Sequence, residues 1–110
     1  MQSKFISTTT EILTLACLAQ GAASVYEITK FIAENAIEGT AASHNQVYTA
    51  LYYLCNKNYV KDEEITTDNG LRRTRYTLLS KGKEYYKTFL EDYNRHIRSV
   101  SKVLNSIKSK

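Results

Sequence analysis

Two short clusters of hydrogen-bonding and basic side chains have the residue types and spacing needed to bind a nucleic acid. The first, at residues 43–46 (SHNQ), stands directly before an apolar helical stripe. Asn and Gln can pair bidentately with adenine when the amino end of a helix enters the major groove. No acidic residue occurs between Thr40 and Lys61, so nothing in this segment repels phosphate. The candidate DNA contacts on this predicted helix are Ser43, His44, Asn45, Gln46, Thr49 and Tyr53.

The second cluster is rich in arginine and follows a predicted hairpin turn at residues 68–70 (DNG). Asn and Gly tolerate the positive φ angles that tight hairpin turns require. Guanidinium groups near a hairpin tip suit phosphate contact or insertion into a narrow minor groove. The candidate contacts here are Asn69, Arg72, Arg73 and Arg75. In an alternative interpretation, cross-strand pairing neutralises part of this charge, the partners being Asp62, Glu63 and Glu64.

Three helices are expected before the hairpin. Capping-box motifs of the form S/T-x-x-E/Q occur at residues 8–11, 24–27 and 43–46, and apolar residues at helical spacing follow each one. Such a motif satisfies orphan amide groups at a helix start, so the three repeats predict three helix N-termini. The third stripe is formed by Val47, Ala50, Leu51 and Leu54.

The hairpin and a last helix complete the predicted architecture. β-prone segments near residues 59–65 and 73–78 flank the turn. Ser80 is expected to cap a helix that starts at about Lys81, with Gly82 as a weak point in its first turn. The order helix, helix, helix, hairpin, helix is that of a winged helix-turn-helix. The predicted fold class is therefore mainly α with a small β hairpin and a long C-terminal helix.

Apolar residues recur along the last helix at alternating spacings of four and three. Such a heptad stripe is typical of a helix that packs against a partner helix. The predicted dimerisation residues are Tyr86, Leu90, Tyr93, Ile97, Val100, Leu104 and Ile107. We therefore expect a DNA-binding domain over residues 1–80 and a dimerisation helix over residues 81–110 of a homodimer. The alternative is a helix that folds back along its own domain as a lid.

Composition limits the function classes. The chain has 110 residues and a net charge of +4, of which residues 57–110 contribute +6 (thirteen basic, seven acidic) and residues 1–56 contribute −2 (two basic, four acidic). This asymmetry favours a polyanionic partner.

Cys17 and Cys55 are too far apart for a zinc or redox motif and are expected to be reduced core thiols. We expect no catalysis, metal or cofactor, and the absence of a long apolar run or a signal peptide favours a cytoplasmic location.

Five segments, in order, resemble the PadR-type winged-helix transcriptional regulators. They are residues 12–18 (ILTLACL, against the family's ILxLLxxG), 26–28 (YEI, against GYEI), 47–54 (VYTALYYL, against LYPALxxLE), 58–60 (NYV, against GLV) and 70–82 (GLRRTRYTLLSKG, against GRPRKxYxLTxxG). The chain departs from these motifs where Val25 and Asn58 stand for glycine and Thr49 stands for proline. Such departures fit a divergent member or another small winged-helix group of plasmids and phages.

The resemblance implies a DNA-binding role for Tyr48 and its neighbours, a wing contact by the three arginines, and dimerisation through the C-terminal helix. Because some relatives respond to small molecules at the dimer interface, the resemblance implies an effector there as one alternative; the nine tyrosines could line such a site or could instead be packing residues. Tyr48 could instead pack at the helix edge, and Tyr26 is either a hydroxyl donor to phosphate or a core residue.

We expect a double-stranded DNA-binding repressor. The alternatives are a plasmid segregation or conjugation accessory protein and a winged-helix interaction module without DNA binding.

Overall fold

The computed structural model describes residues 2–35 and 42–108, with side chains from 9 to 35 and from 42 to 107. Its elements are, in chain order, α1 (Gln2–Leu18), α2 (Val25–Asn35), α3 (His44–Asn56), β1 (Val60–Thr66), β2 (Arg72–Leu78) and α4 (Ser80–Lys108). The two strands form an antiparallel hairpin. The predicted fold class, mainly helical with one hairpin and a long last helix, is confirmed.

The first helix begins at Gln2, so the capping box predicted at residues 8–11 is wrong. These residues lie inside α1, where tertiary contacts hold them in helical conformation. Thr10 is buried, and the Thr9 hydroxyl lies 3.3 Å from the hydroxyl of Tyr93 on α4. Packing of this kind supplies most helix stability in a folded protein and overrides a local start signal.

The other two capping boxes form as predicted. At the start of α2, the Ser24 amide donates to Glu27 Oε1 at 2.8 Å and the Glu27 amide donates to Ser24 Oγ at 3.2 Å. Ser43 and Gln46 exchange the same pair of hydrogen bonds at the start of α3, at 2.8 and 3.2 Å. Both helices therefore begin where local hydrogen bonding dictates, and their apolar stripes turn into one core. The core members without measurable exposure are Leu15, Ile28, Val47 and Leu54.

The end of α3 explains why the chain carries Asn at a position where the family motif has Gly. Asn58 adopts a left-handed conformation, with φ 64°. Its amide donates to the carbonyl of Cys55 and the Tyr59 amide donates to the carbonyl of Leu54, both at 3.0 Å. These two bonds form a Schellman motif, in which Asn is the usual substitute for Gly.

The hairpin has a regular register, with Val60 opposite Leu78 and Thr66 opposite Arg72. Its loop is closed by the Thr67 amide, which donates to the carbonyl of Leu71 at 2.8 Å. Gly70 adopts a positive φ there, 81°, and Asn69 does not. A longer loop needs only one left-handed residue, whereas a two-residue turn needs two.

Helix α4 begins one residue earlier than predicted. The Lys83 amide donates to the carbonyl of Leu79 at 2.9 Å, which puts Leu79 rather than Ser80 at the capping position. Gly82 is buried, and a Cβ there would lie 2.0 Å from the carbonyl oxygen of Tyr59. Gly82 was interpreted as a weak point of the helix. It instead lies where α4 comes so close to the Tyr59 backbone that only glycine fits.

The first half of α4 packs on the domain through an aromatic row. The rings of Tyr59 and Tyr85 stack with centroids 4.1 Å apart, and Phe89 meets Tyr85 edge to face at 5.6 Å. The Tyr85 hydroxyl donates to the carboxylate of Glu11 on α1. Tyr93 extends the row, with its centroid 6.5 Å from that of Phe89. Two of these rings, Tyr85 and Phe89, lie outside the predicted stripe, so the inward face of α4 differs from its heptad face.

Candidate nucleic-acid interface

The amino end of α3 presents a mixed set of hydrogen-bonding groups. The side chains of His44 and Asn45 are exposed and those of Ser43 and Gln46 serve the capping box. Because Gln46 Oε1 accepts from the Ser43 amide, the Gln46 amide group retains its two N–H donors but has one acceptor lone pair less. The unpaired amide groups of this first turn add a partial positive charge.

Tyrosines dominate the rest of the outward face of α3. Tyr48 is 53% exposed and Tyr52, one turn later, is 72% exposed. The exposure of Tyr48 contradicts the alternative in which it packs at the helix edge. Tyr53 is also exposed and lies under the ammonium group of Lys57, 5.7 Å from the ring centroid. The Thr49 hydroxyl donates to the carbonyl of Asn45 at 3.0 Å, which leaves its oxygen free to accept.

On the hairpin, two of the three arginines approach acidic residues. Arg72 lies 3.9 Å from a carboxylate oxygen of Glu64, and Arg75 lies 3.9 Å from one of Glu63. The alternative of cross-strand pairing is therefore correct for these two arginines. Such exposed, long pairs contribute about 0–1 kcal/mol and are screened by salt, so phosphate can compete for both guanidinium groups. Arg73 lies opposite Ile65 and has no carboxylate within 4.0 Å among the described residues.

A cleft of about 490 Å³ joins α3 to the hairpin and the start of α2. We call it the basic cleft, and its lining residues are Ser24, Val25, Tyr26, His44, Tyr48, Arg72, Arg73, Thr74 and Tyr76. It contains two guanidinium groups, several hydroxyls and an imidazole, and none of the lining residues is acidic. A concave surface with this donor set suits the phosphates of a polyanion.

Four of the candidate residues line the basic cleft, and the others lie outside its lining. His44, Tyr48, Arg72 and Arg73 line it. Asn69 is exposed in the hairpin loop, and Arg75 lies on the strand face shared with Arg73. The remaining candidates on α3 are outside the lining, namely Ser43, Asn45, Gln46, Thr49 and Tyr53.

Tyr26 is 59% exposed and lines the basic cleft, so the interpretation of this residue as core is wrong. It is the second residue of α2, a position that turns away from the stripe ending in Ile32. Thr74 and Tyr76 also line the basic cleft and were not predicted from the sequence. Strand alternation could have found them, because they share the face of Arg72.

The cysteines and acidic residues form no alternative chemical centre in the part of the chain that the structure describes. No group of three His, Cys, Asp or Glu residues there could hold a metal ion. Cys17 is buried and Cys55 half-buried, and both are free thiols. Burial raises the pKa of each thiol, which makes both poor nucleophiles. No described helix is long and apolar enough to cross a membrane.

A family model decides the relationship of this chain to known proteins. Residues 14–88 match the model of the transcriptional regulator PadR-like family, which covers the C-terminal end of α1, the helix-turn-helix, the hairpin and the start of α4. The chain belongs to the PadR-like family. The predicted resemblance is thereby confirmed. PadR-like proteins are transcriptional regulators and not enzymes, in line with the expectation from the sequence.

Solved structures of other transcriptional regulators agree with this membership. A transcriptional regulator from Clostridium thermocellum has 26% identity and a TM-score of 0.80, over 91% of this chain and 97% of that one. A PadR family regulator from Clostridium difficile has 28% identity and a TM-score of 0.66, over 89% and 96%. Bacillus subtilis PadR, solved in complex with operator DNA, has 26% identity and a TM-score of 0.65.

The match to Bacillus subtilis PadR covers 73% of this PadR-like chain but only 45% of that protein. The DNA complex of this relative supports a DNA-binding regulator. No curated protein sequence matches the chain.

Proposed function

We propose that this PadR-like chain is a sequence-specific double-stranded DNA-binding homodimer that acts as a transcriptional repressor. The observation that carries the proposal is the basic cleft. It joins the amino end of α3 to the arginine-bearing hairpin without an acidic residue in its lining. A duplex that seats α3 in its major groove brings its phosphate backbone along such a surface.

In this proposal, α3 reads the base edges. Asn45 and His44 stand exposed in the first turn, the part of a recognition helix that reaches furthest into the groove. Gln46 contributes its amide N–H donors, and Tyr48 and Thr49 contribute hydroxyls one turn further on. Ser43 fixes the position of the helix end, and Tyr53 lies beyond the first turns, where backbone contact is expected.

The hairpin acts as the wing. Arg73 has no acidic partner among the described residues and is therefore the strongest phosphate or minor-groove ligand of the three. Arg72 also lines the basic cleft, and its weak pairing with Glu64 yields to a phosphate. Arg75, on the same face as Arg73, and Asn69 in the loop extend the contact along the backbone.

Dimerisation is proposed to occur through the outer half of α4. Helix α4 has 29 residues and is therefore about 44 Å long. Five apolar side chains near its end are 44–64% exposed, namely Ile97, Val100, Val103, Leu104 and Ile107. Four of them belong to the heptad stripe, and pairing with a second copy would bury them. Tyr86, Leu90 and Tyr93 are half-buried in the single chain, so their part in the interface is smaller.

Repression follows from this assembly. A two-fold dimer presents two copies of α3 to successive major-groove segments about one helical turn apart, so it selects an inverted repeat. Occupation of such a site beside a promoter blocks access to the promoter. The proposed unit thus combines a DNA-binding domain (residues 1–80) with a dimerisation helix (residues 81–110) in the cytoplasm. An effector at the dimer interface remains a prediction from the family resemblance.

The test is selection of bound fragments from the source genome by purified protein at two salt concentrations. We expect enrichment of an inverted repeat beside a promoter, retained at the higher salt. Enrichment of tandem direct repeats would instead support the role in plasmid segregation or conjugation. Uniform binding that disappears at the higher salt would reflect phosphate attraction alone and contradict the proposal. No binding at either salt would support the protein-interaction module.

A further inference from the structure

A second cleft, of about 290 Å³, lies between α3 and the hairpin. We call it the tyrosine groove, and it is lined by Tyr48, Leu51, Tyr52, Cys55, Asp62 and Tyr76. Tyr48 and Tyr76 also line the basic cleft, so the two are neighbours. Their chemistry is opposite, because the lining of the groove holds one acidic residue and no basic one.

Three elements build the tyrosine groove. Tyr48 and Tyr52 are one helical turn apart on α3 and stand on the same side of the helix. Asp62 of β1 and Tyr76 of β2 are direct partners across the hairpin, on the strand face that turns toward α3. Leu51 is buried and forms part of the apolar floor. Three phenol rings and one carboxylate thus surround a single space.

The carboxylate of Asp62 is exposed and has no basic group within 4.0 Å among the described residues. Its negative charge nevertheless acts on the groove. Burial raises the pKa of the Cys55 thiol and of the Tyr76 hydroxyl, and the charge of Asp62 adds to both effects. In a chain with a net charge of +4, this groove therefore contains an unpaired negative charge beside exposed aromatic rings.

We propose that the tyrosine groove binds a small organic cation, with an alkylated ammonium group against the tyrosine rings and its charge facing Asp62. Aromatic rings combined with a carboxylate are the usual recognition elements for such a group. A phosphate or a carboxylate ligand would be repelled by Asp62. A neutral ligand would gain no charge–charge attraction from Asp62. The volume, near the lower limit of small-molecule pockets, fits a ligand of this size.

The groove also borders the proposed DNA surface. A cation bound there contacts Tyr48, which the proposed function assigns to the DNA, so cation and DNA compete. This consequence rests on the proposed function, whereas binding of the cation does not. The groove would then be a regulatory site on the DNA-binding domain, separate from an effector site at the dimer interface.

Binding is tested by NMR titration of the full chain with ¹³C-labelled tyrosine rings. The probes are choline and 3,3-dimethylbutan-1-ol, its neutral isostere. We expect choline to shift the Tyr48, Tyr52 and Tyr76 signals and to bind roughly five- to tenfold more tightly than the alcohol, the combined size of an exposed cation–π contact and an exposed ion pair.

Two variants determine whether the charge of Asp62 is responsible. Asp62→Asn should weaken choline binding about threefold or more, because it removes an exposed ion pair and keeps the shape. Glu63→Gln is the matched control, since it removes a carboxylate from the opposite face of the same strand and should leave the affinity unchanged. Equal affinity for the two probes, shifts confined to other tyrosines, or undiminished affinity in Asp62→Asn would overturn the proposal.

Competition is measured separately, by fluorescence anisotropy with a duplex obtained from the fragment selection. DNA affinity in choline chloride is compared with that in an equal concentration of sodium chloride. We expect weaker DNA binding in choline for the unmodified chain and a smaller difference between the two salts for Asp62→Asn, because that variant binds choline less tightly. Equal affinity in the unmodified chain would overturn the competition. A chain that selects no specific duplex would contradict the proposed function and leave the titration result standing.

Discussion

At the residue scale, the fold depends on the residue type at two positions. One lies in close contact with a neighbouring backbone, and the other has a left-handed backbone conformation. Gly82 lies so close to the Tyr59 carbonyl that no other residue fits without displacing backbone. Asn58 holds the left-handed turn after α3 with φ 64°. Both positions fix how α3, β1 and α4 meet, and therefore how the recognition helix and the wing are set relative to each other.

Gly82→Ala should lower the free energy of unfolding by about 2–3 kcal/mol, because a new methyl group would overlap the Tyr59 carbonyl. Urea denaturation followed by circular dichroism measures the change. Gly70→Ala is the control, since a Cβ there meets nothing within 4 Å and adds only the strain of a positive φ. We expect that control to cost about 1 kcal/mol. A loss in Gly82→Ala no larger than in Gly70→Ala would contradict the close approach.

Asn58→Gly should keep or raise the free energy of unfolding by up to about 1 kcal/mol, because Gly adopts a left-handed conformation without steric cost. Asn58→Ala should lower it by about 1 kcal/mol. The two variants leave the Schellman hydrogen bonds in place and differ only in the side chain. Equal stability of both variants in urea denaturation would show that φ at this position is not the determinant.

At the element scale, α4 is anchored to α1 by a half-buried hydrogen-bonded pair and leaves its outer half uncovered. Tyr85 donates to the carboxylate of Glu11 between the two helices. Burial raises the pKa of Glu11, an effect that the Tyr85 hydrogen bond only partly offsets. Burial and the nearby Glu11 carboxylate also raise the pKa of Tyr85, which keeps its hydroxyl protonated as a donor.

Glu11→Gln should change how stability depends on pH. Because the folded-state pKa of Glu11 is raised above 4.5, the contribution of this group is fully present below that value and is lost as pH rises through the folded pKa. Gln keeps an acceptor for Tyr85 and does not ionise. We therefore expect the stability of Glu11→Gln, relative to the unmodified chain, to increase from acidic to neutral pH in urea denaturation. A difference independent of pH would contradict burial of this carboxylate.

Leu104→Asp should dissociate the proposed dimer. Leu104 is exposed in the single chain, so an Asp there leaves the fold intact but would bury a charge in a paired helix interface. We expect the dimer dissociation constant to rise at least a hundredfold, on the order of 3 kcal/mol, in sedimentation equilibrium. Ser99→Asp, on the polar face of α4, is the matched control and should remain dimeric. Unchanged association in Leu104→Asp would contradict pairing through this stripe.

The elements that could be predicted from the sequence are those determined by local hydrogen bonding. Ser24 and Ser43 start α2 and α3 through hydrogen bonds between their side chains and residues three positions later in the chain. Both residues of each pair belong to one short sequence motif, so the motif is sufficient to predict the helix start. The helical conformation of Thr9 and Thr10 inside α1 and the role of Gly82 depend on packing against distant segments, which no local motif contains. The charged members of the basic cleft are predictable from the sequence, and so is the exposure of Tyr26, whose position on α2 turns away from the apolar stripe.

At the scale of the whole molecule, the positive charge and the exposed apolar surface lie in different parts of the structure. The described residues extend over 62 × 30 × 26 Å, with α4 reaching beyond the domain. The basic cleft concentrates positive charge between α3 and the hairpin, and the end of α4 exposes apolar side chains. The proposed dimer would join two basic clefts through these apolar side chains.

The most direct test of this account is the salt dependence of duplex binding when the wing arginines are removed. Arg72→Ala with Arg73→Ala should weaken binding and reduce the slope of log K against log salt by about 0.9 for each phosphate that is no longer neutralised, or about 3–4 for a dimer. Lys83→Ala with Lys87→Ala removes equal charge from exposed positions on α4 and should change the slope little. An unchanged affinity and slope in the arginine variant would contradict the wing contact and the DNA-binding surface built on it.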